Sequence, residues 1–277
     1  MIMLIGHEKL AEIFKALAKS DRLSQGYIFF GEPQVGKFSF ALALANFLEN
    51  KAYEPPEKGL TETMVLKPSE EGSIGIDEIR GLQHFLSQKP VYSGKRVAII
   101  DEAEALTPQA QNAILKTAEE PPPQTLIILA LATPEALLPT LQSRFIKIYF
   151  SRVGLGLIKK MLVKKFEASE KEAEIAASSS FGRPGRAIDL LENKEVQAVR
   201  KKALALLSRR QNKKEIIESL TEDPSAISPL FYELVAELAK DPVKNYHTLG
   251  LITERLAKMK QFSTNRRLQL NLALWNI

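Results

Sequence analysis

Residues 27–39 read YIFFGEPQVGKFS, and this stretch decides the fold. The apolar run 27–30 predicts a strand, and residues 38–49 predict a helix. Between them, Gly31, Gly36 and Lys37 predict a turn that cradles phosphate. In a strand–glycine loop–helix unit, consecutive backbone N–H groups converge on an anion at the helix N-terminus, and the lysine reaches the outer phosphates. The match to G-x-x-x-x-G-K-[ST] fails only at its last position. Phe38 stands where a hydroxyl would bind Mg²⁺. Ser39 comes one residue later, about 100° further round a helix. The pattern therefore predicts a degenerate loop, able to hold the phosphates of ATP or ADP but short of one metal ligand. Mg²⁺ is expected there only together with nucleotide. The competing reading is a glycine turn that holds nothing.

Outward from this unit, strands are predicted at 64–67, 96–100, 125–131 and 145–150, and helices at 77–87 and 108–119. Asp77 is expected to cap the first of these helices, and Pro121, Pro122 and Pro123 stop the second. Several of the strands are nearly continuous apolar runs, as in parallel sheets covered on both faces. Alternating strands and helices predict an α/β fold with right-handed crossovers. Residues 51–62 read as a surface loop. After residue 150 the strand signals stop. A helix is predicted at 155–166, a capping box at Ser169 and Glu172, and a helix from Pro184 to about 192. From about 195 the pattern is helical, with breaks near Gln211, Pro224, Asp241 and Ser263. Three modules follow: 1–151, 152–194 and 195–277.

Asp101 and Glu102 end the strand 96–100, and Glu104 follows. Acids at the end of a buried strand hold Mg²⁺ and orient an attacking water in P-loop enzymes. Thr133, after the next strand, is placed either to sense a γ-phosphate or simply to start a turn before Pro134. Arg144 precedes the last strand. It is a candidate arginine finger, with an ordinary ion pair as its alternative.

The chain has 277 residues, 45% hydrophobic and 26% charged, which excludes disordered and collagen-like classes. It has no cysteine, so disulfides, thiolate nucleophiles and cysteine zinc sites are excluded. The three histidines are scattered and show no metal spacing. The opening MIMLIGHEKL lacks a basic start followed by an apolar core, and no apolar run approaches the ~20 residues of a membrane span. A cytoplasmic location without a membrane partner is expected. Residues 1–150 carry 15 Lys+Arg and 18 Asp+Glu, a net −3, whereas 151–277 carry 23 and 15, a net +8. Arg200–Lys202, Arg209, Arg210, Lys213 and Lys214 are either phosphate contacts or solvated helix faces. The apolar stripe Leu230, Phe231, Leu234 and Leu238, with the segment 268–275, is expected to serve assembly.

Together these pieces resemble the AAA+ clamp-loader ATPases. Residues 97–122, VAIIDEAEALTPQAQNAILKTAEEPP, look like the family's acidic box followed by its helix ending L-L-K-x-x-E-E-P-P. Residues 141–145, LQSRF, resemble its S-R-C segment with Phe for Cys, and 23–27, LSQGY, fit the segment before the loop. The resemblance covers residues 1 to about 195, and the remainder looks like the family's helical collar. It implies an AAA+ P-loop parallel-sheet domain, a small helical lid and an all-α collar domain. Residues 182–186, GRPGR, together with Phe38, look like the delta-prime subunits of bacterial DNA polymerase III. Motor subunits (gamma/tau) carry a sensing arginine where Gly185 stands. The four-cysteine zinc module of many members is absent, which argues against zinc.

What the resemblance implies is a subunit that helps load the sliding clamp onto primed DNA. It would work in a hetero-pentameric ring with motor gamma/tau-like and delta-like subunits, supplying Arg144 in trans to a neighbour's ATP site. Its own nucleotide-site residues would be Gly31, Gly36, Lys37, Phe38, Asp101, Glu102 and Thr133. Its own ATPase would be weak or absent. The alternative is an ATP-hydrolysing motor subunit.

Overall fold

A computed structural model of the chain describes residues 5–208 and 227–261, together with 268, 269 and 272. The chain divides into two compact units, Met1–Arg186 and Ala187–Ile277.

The first unit is built on five strands: β1 (Gly26–Phe30), β2 (Thr63–Leu66), β3 (Arg96–Asp101), β4 (Thr125–Leu131) and β5 (Ile146–Tyr149). Their order in the sheet is β2-β3-β4-β1-β5, and every neighbouring pair is parallel. The continuous apolar runs of β3 and β4 take the interior, where β4 is buried along its whole length. β2 and β5 are the edges, and the alternating Ile-Lys-Ile-Tyr of β5 leaves Ile146 and Tyr149 exposed. Because side chains alternate across a strand, one sheet yields two cores. Ile28, Ala98, Ile100, Ile127 and Leu129 face α3 (Ile76–Ser87) and α4 (Pro108–Glu119), meeting Ile79, Leu82 and Ile114. Tyr27, Phe29, Val97, Ile99 and Ile128 face α1 (Glu8–Lys19) and α2 (Lys37–Asn50), meeting Phe14, Phe40 and Leu44. The result is a three-layer α/β/α domain.

In the first unit the structure departs from the sequence reading in three places. No helix is predicted at 8–19, yet α1 forms there and places Phe14 against the rings of Tyr27, Phe29 and Phe40. Asp77 does not cap α3. Gly75 is its N-cap, with its N–H donating to Glu78 Oε2 at 3.1 Å, and Asp77 pairs with Arg80 on the surface. The loop 51–62 is not wholly superficial, since its last residue, Glu62, is 1% exposed. At the start of α4, Thr107 Oγ accepts from Ala110 N–H with Pro108 at the first position, and the predicted capping box of Ser169 and Glu172 opens α7 (Glu170–Ser180).

Glu62 clips the loop before β3. Its carboxylate accepts from the N–H groups of Val91, Tyr92 and Ser93, the last at 2.6 Å. Burial pushes this carboxyl up, but the Ser93 side chain and the three N–H groups outweigh it and hold it at about 2. The unfolded carboxyl titrates near 4.5, so the stabilisation is complete above that pH and is lost as pH falls from 4.5 to about 2. Glu62→Gln should cost about 2–3 kcal/mol at neutral pH. It should also flatten the acid limb of the stability curve over that window, as read by urea unfolding at a series of pH values.

α6 (Leu155–Phe166), α7 and the start of α8 (Pro184–Glu192) complete the first unit. The second unit contains α9 (Lys194–Leu207) and the helices Ile227–Leu238 and Tyr246–Gln261, and 239–245 is the predicted break near Asp241. Leu230, Phe231, Leu234 and Leu238 pack with Leu206 and Ile252 inside this unit. They are its own core, which corrects the expectation that they form an assembly surface. The predicted breaks near Gln211, Pro224 and Ser263, the basic residues 209–214, and most of 268–275 lie outside the described residues. Among the described residues, no helix is long and apolar enough to cross a membrane.

Candidate nucleotide site

In an open parallel sheet, loops at the carboxyl ends of the strands converge on one edge. The segment 31–36 leaves β1 at that edge and enters α2. Gly31 has φ +142°, and a Cβ there would lie 2.4 Å from the Phe150 carbonyl oxygen, so only glycine is accommodated. Gly36 takes φ +110° as the N-cap of α2, which turns the first N–H groups of the helix, unpaired within it, toward the loop.

Lys37 is buried in the loop. Its Nζ donates to the carbonyls of Gly31 and Glu32, both at 2.7 Å. Burial pulls its pKa down, and the nearby carboxylates of Glu104, Asp101 and Glu32 partly restore it. Asp101 ends β3, and burial raises its carboxyl while Lys67 opposes the rise. Glu102 follows in a left-handed conformation at φ 52°. Glu104 accepts from Ala132 N–H at 3.3 Å, tying the acidic turn to the end of β4. Thr133 lies just beyond, where its hydroxyl donates to Glu135. The structure thus brings Gly31, Gly36, Lys37, Asp101, Glu102 and Thr133 to one edge of the sheet. Phe38 is there too, its ring packed against the α1/α2 core.

Three further residues brace the loop and carry no motif signal. His7 places Nε2 3.0 Å from the Val35 carbonyl and packs edge-on against Phe150, and burial lowers its pKa. Arg152 donates through Nε and an Nη to Glu32 at 2.9 and 2.6 Å. Lys67, the residue after β2, lies over the Phe38 ring with Nζ 4.4 Å from its centroid and 4.0 Å from Asp101 Oδ2.

The start of α8 docks on the same loop. Gly185 N–H donates to the Gln34 carbonyl at 3.0 Å, and a Cβ on Gly185 would stand 2.9 Å from Gln34 Cβ. Arg186 turns back instead, donating to the Ser179 carbonyl at 3.1 Å. Gly185→Ala would gain up to ~1 kcal/mol of helix propensity in open space. Against Gln34 it should instead lower stability by about 1–2 kcal/mol, as thermal unfolding would show.

Arg144 is elsewhere. It precedes β5, so it lies at the amino edge of the sheet, whereas the loop lies at the carboxyl edge beside the other end of β5. A four-residue strand separates these ends by about 13 Å. The guanidinium donates to Glu119 Oε1 at 2.6 Å and to the Thr140 carbonyl at 2.8 Å, and its side chain is 35% exposed.

Phosphate fits this loop: the nearest atom to where a Gly36 Cβ would be is His7 Cδ2 at 3.8 Å, and Lys37 is at hand. Mg²⁺ does not fit in the usual way, because Phe38 offers no hydroxyl and the Lys67 ammonium lies 4.4 Å from its ring centroid and 4.0 Å from Asp101 Oδ2.

A family model described as DNA polymerase III, delta subunit, matches residues 6–154. The DNA polymerase III subunit gamma/tau of Mycobacterium bovis is 36% identical over 154 residues, which is 50% of this chain and 26% of that protein. The DNA polymerase III subunit delta' of Escherichia coli is 28% identical over 200 residues, 72% of this chain and 56% of that protein. The chain thus spans from about a quarter to just over half of the length of these relatives. Among solved structures, a DNA polymerase III gamma subunit-related protein of Thermotoga maritima superposes with a TM-score of 0.65 at 23% identity, covering 95% of this chain and 97% of that one. The RuvB Holliday junction branch migration motor of Thermotoga maritima superposes at 0.57 and 17% identity, covering 96% and 88%. At these identities the likeness is one of fold, a parallel sheet with helices following it.

Proposed function

The chain belongs to the DNA polymerase III delta-subunit family of clamp-loader proteins, and from that premise we propose that it is a delta-prime-type subunit, a stator rather than a motor. The observation that carries this reading is the position of Arg144. It stands at the sheet edge opposite the chain's own phosphate loop, so on this reading its guanidinium would be offered to a site on a neighbouring subunit. A planar cation offered in trans stabilises the charge of a transferring phosphoryl group and supplies no bond of its own. Phe38 and Gly185 support the same reading from the chain's own loop. The first removes a metal ligand, and the second replaces a sensing arginine with a backbone contact to Gln34.

The chain's partners on this reading are gamma/tau-like and delta-like subunits in a five-membered ring, with the sliding clamp and primed DNA as substrates. The second unit would take part in assembly through surfaces other than its buried stripe. The test is reconstitution. A ring assembled with this chain should load clamp onto primed DNA, and the same mixture without it should not. Equal loading with and without the chain would refute the role.

A second reading, the motor subunit, is favoured by Lys37, Asp101 and Glu102 standing together at the carboxyl edge and by the gamma/tau relatives. ATP turnover by the isolated chain separates the two.

A further inference from the structure

The loop that ends β1 holds its cations in an unusual way. β2 and β3 are parallel with Leu66 opposite Ile100, so the next residues, Lys67 and Asp101, leave the two strands side by side at the carboxyl edge. Phe38 stands at the first turn of α2, where a metal-binding loop carries its hydroxyl. Lys67 reaches between them, with its ammonium 4.4 Å from the Phe38 ring centroid and 4.0 Å from Asp101 Oδ2. An aromatic face and a carboxylate attract an ammonium from two sides. The same two groups cannot complete a Mg²⁺ site, which needs oxygen ligands in near-octahedral array. Burial raises the Asp101 carboxyl, and Lys67 is the first charge that opposes this rise.

We infer that the Lys67 ammonium takes the place of the divalent cation, so that this chain binds the diphosphate of a nucleoside diphosphate without Mg²⁺. Lys37 and Lys67 supply the positive charge that a metal would bring, and the α2 N-terminus supplies the N–H groups. Glu32 is paired with Arg152, while Glu104 and Asp101 keep their charge near the lysines and temper it. The inference rests on reading 31–38 as a phosphate loop and is independent of the role given to Arg144.

The experiment is calorimetric titration of the full chain with ADP, once in excess EDTA and once in excess MgCl₂. The expected result is binding in both, with affinities within about threefold of each other. Lys67→Ala should weaken binding in EDTA at least fivefold while leaving the circular dichroism spectrum unchanged. Phe38→Ser with Lys67→Ala should make binding metal-dependent, tighter in MgCl₂ than in EDTA by tenfold or more. If wild-type binding needs Mg²⁺, or if Lys67→Ala binds ADP as well as wild type in EDTA, the inference is overturned. Absence of ADP binding in both buffers overturns it as well, and leaves the stator role standing, since that role is read from loading by the assembled ring.

Discussion

The isolated chain should turn over ATP at least 10³-fold more slowly than the ~1–100 s⁻¹ typical of phosphoryl-transfer enzymes. Catalysis of this reaction is positioning and charge neutralisation, and three of its parts are compromised here. The residue at the metal-ligating position is Phe38, the space beside Asp101 is taken by Lys67, and Lys37 donates to two carbonyls of its own loop. The finger that a complete site needs is also missing in cis, because Arg144 lies at the opposite edge of the sheet. Steady-state phosphate release by the purified chain, with and without primed DNA, measures this. Turnover above ~1 s⁻¹ would establish the motor reading in place of the stator.

Arg144→Ala should leave folding and ring assembly intact and lower DNA-stimulated ATP hydrolysis by the reconstituted complex several-fold, with slower clamp loading. A finger given in trans is worth ~10³–10⁵ in rate at the site it serves. The other sites of the ring keep theirs, so the total falls by less. Arg144→Lys should recover little, because a point charge does not reproduce the planar fork. The alternative role, visible in the structure, is the pair with Glu119. A half-exposed pair of this kind contributes ~0.2–1 kcal/mol, so losing it would change stability slightly and ATPase not at all. Glu119→Gln discriminates further: it removes the same pair yet keeps the arginine, so it should preserve complex ATPase where Arg144→Ala does not.

Much of the fold was legible because it depends on short-range rules. The runs 96–100 and 125–131 are apolar without interruption, and only a strand covered on both faces accommodates that pattern, which is where β3 and β4 lie. The helix 108–119 carries its own start and stop in Thr107-Pro108 and the three prolines after Glu120. Gly31, Gly36 and Lys37 announce a phosphate loop because their spacing encodes one backbone path. Asp101, Glu102 and Thr133 were legible as site candidates because each follows a predicted strand, and parallel strands deliver such residues to one edge.

Other features arise only from register and packing. Lys67 is one lysine among many until β2 pairs with β3 and sets it beside Asp101 and over Phe38. His7, Arg152 and Gly185 are distant in sequence from the loop they brace, and no local pattern links them to Val35, Glu32 and Gln34. The stripe Leu230, Phe231, Leu234 and Leu238 was legible as apolar, yet its periodicity is the same whether it meets a partner or its own unit, and packing against Leu206 and Ile252 decided for the latter. Sequence by itself therefore determined the elements, their order and the loop chemistry, since these rest on covalent neighbours and side-chain period. Tertiary structure alone decided that Lys67 comes beside Asp101 and over Phe38 and that Arg144 meets Glu119, since both depend on contacts that the chain brings together only on folding.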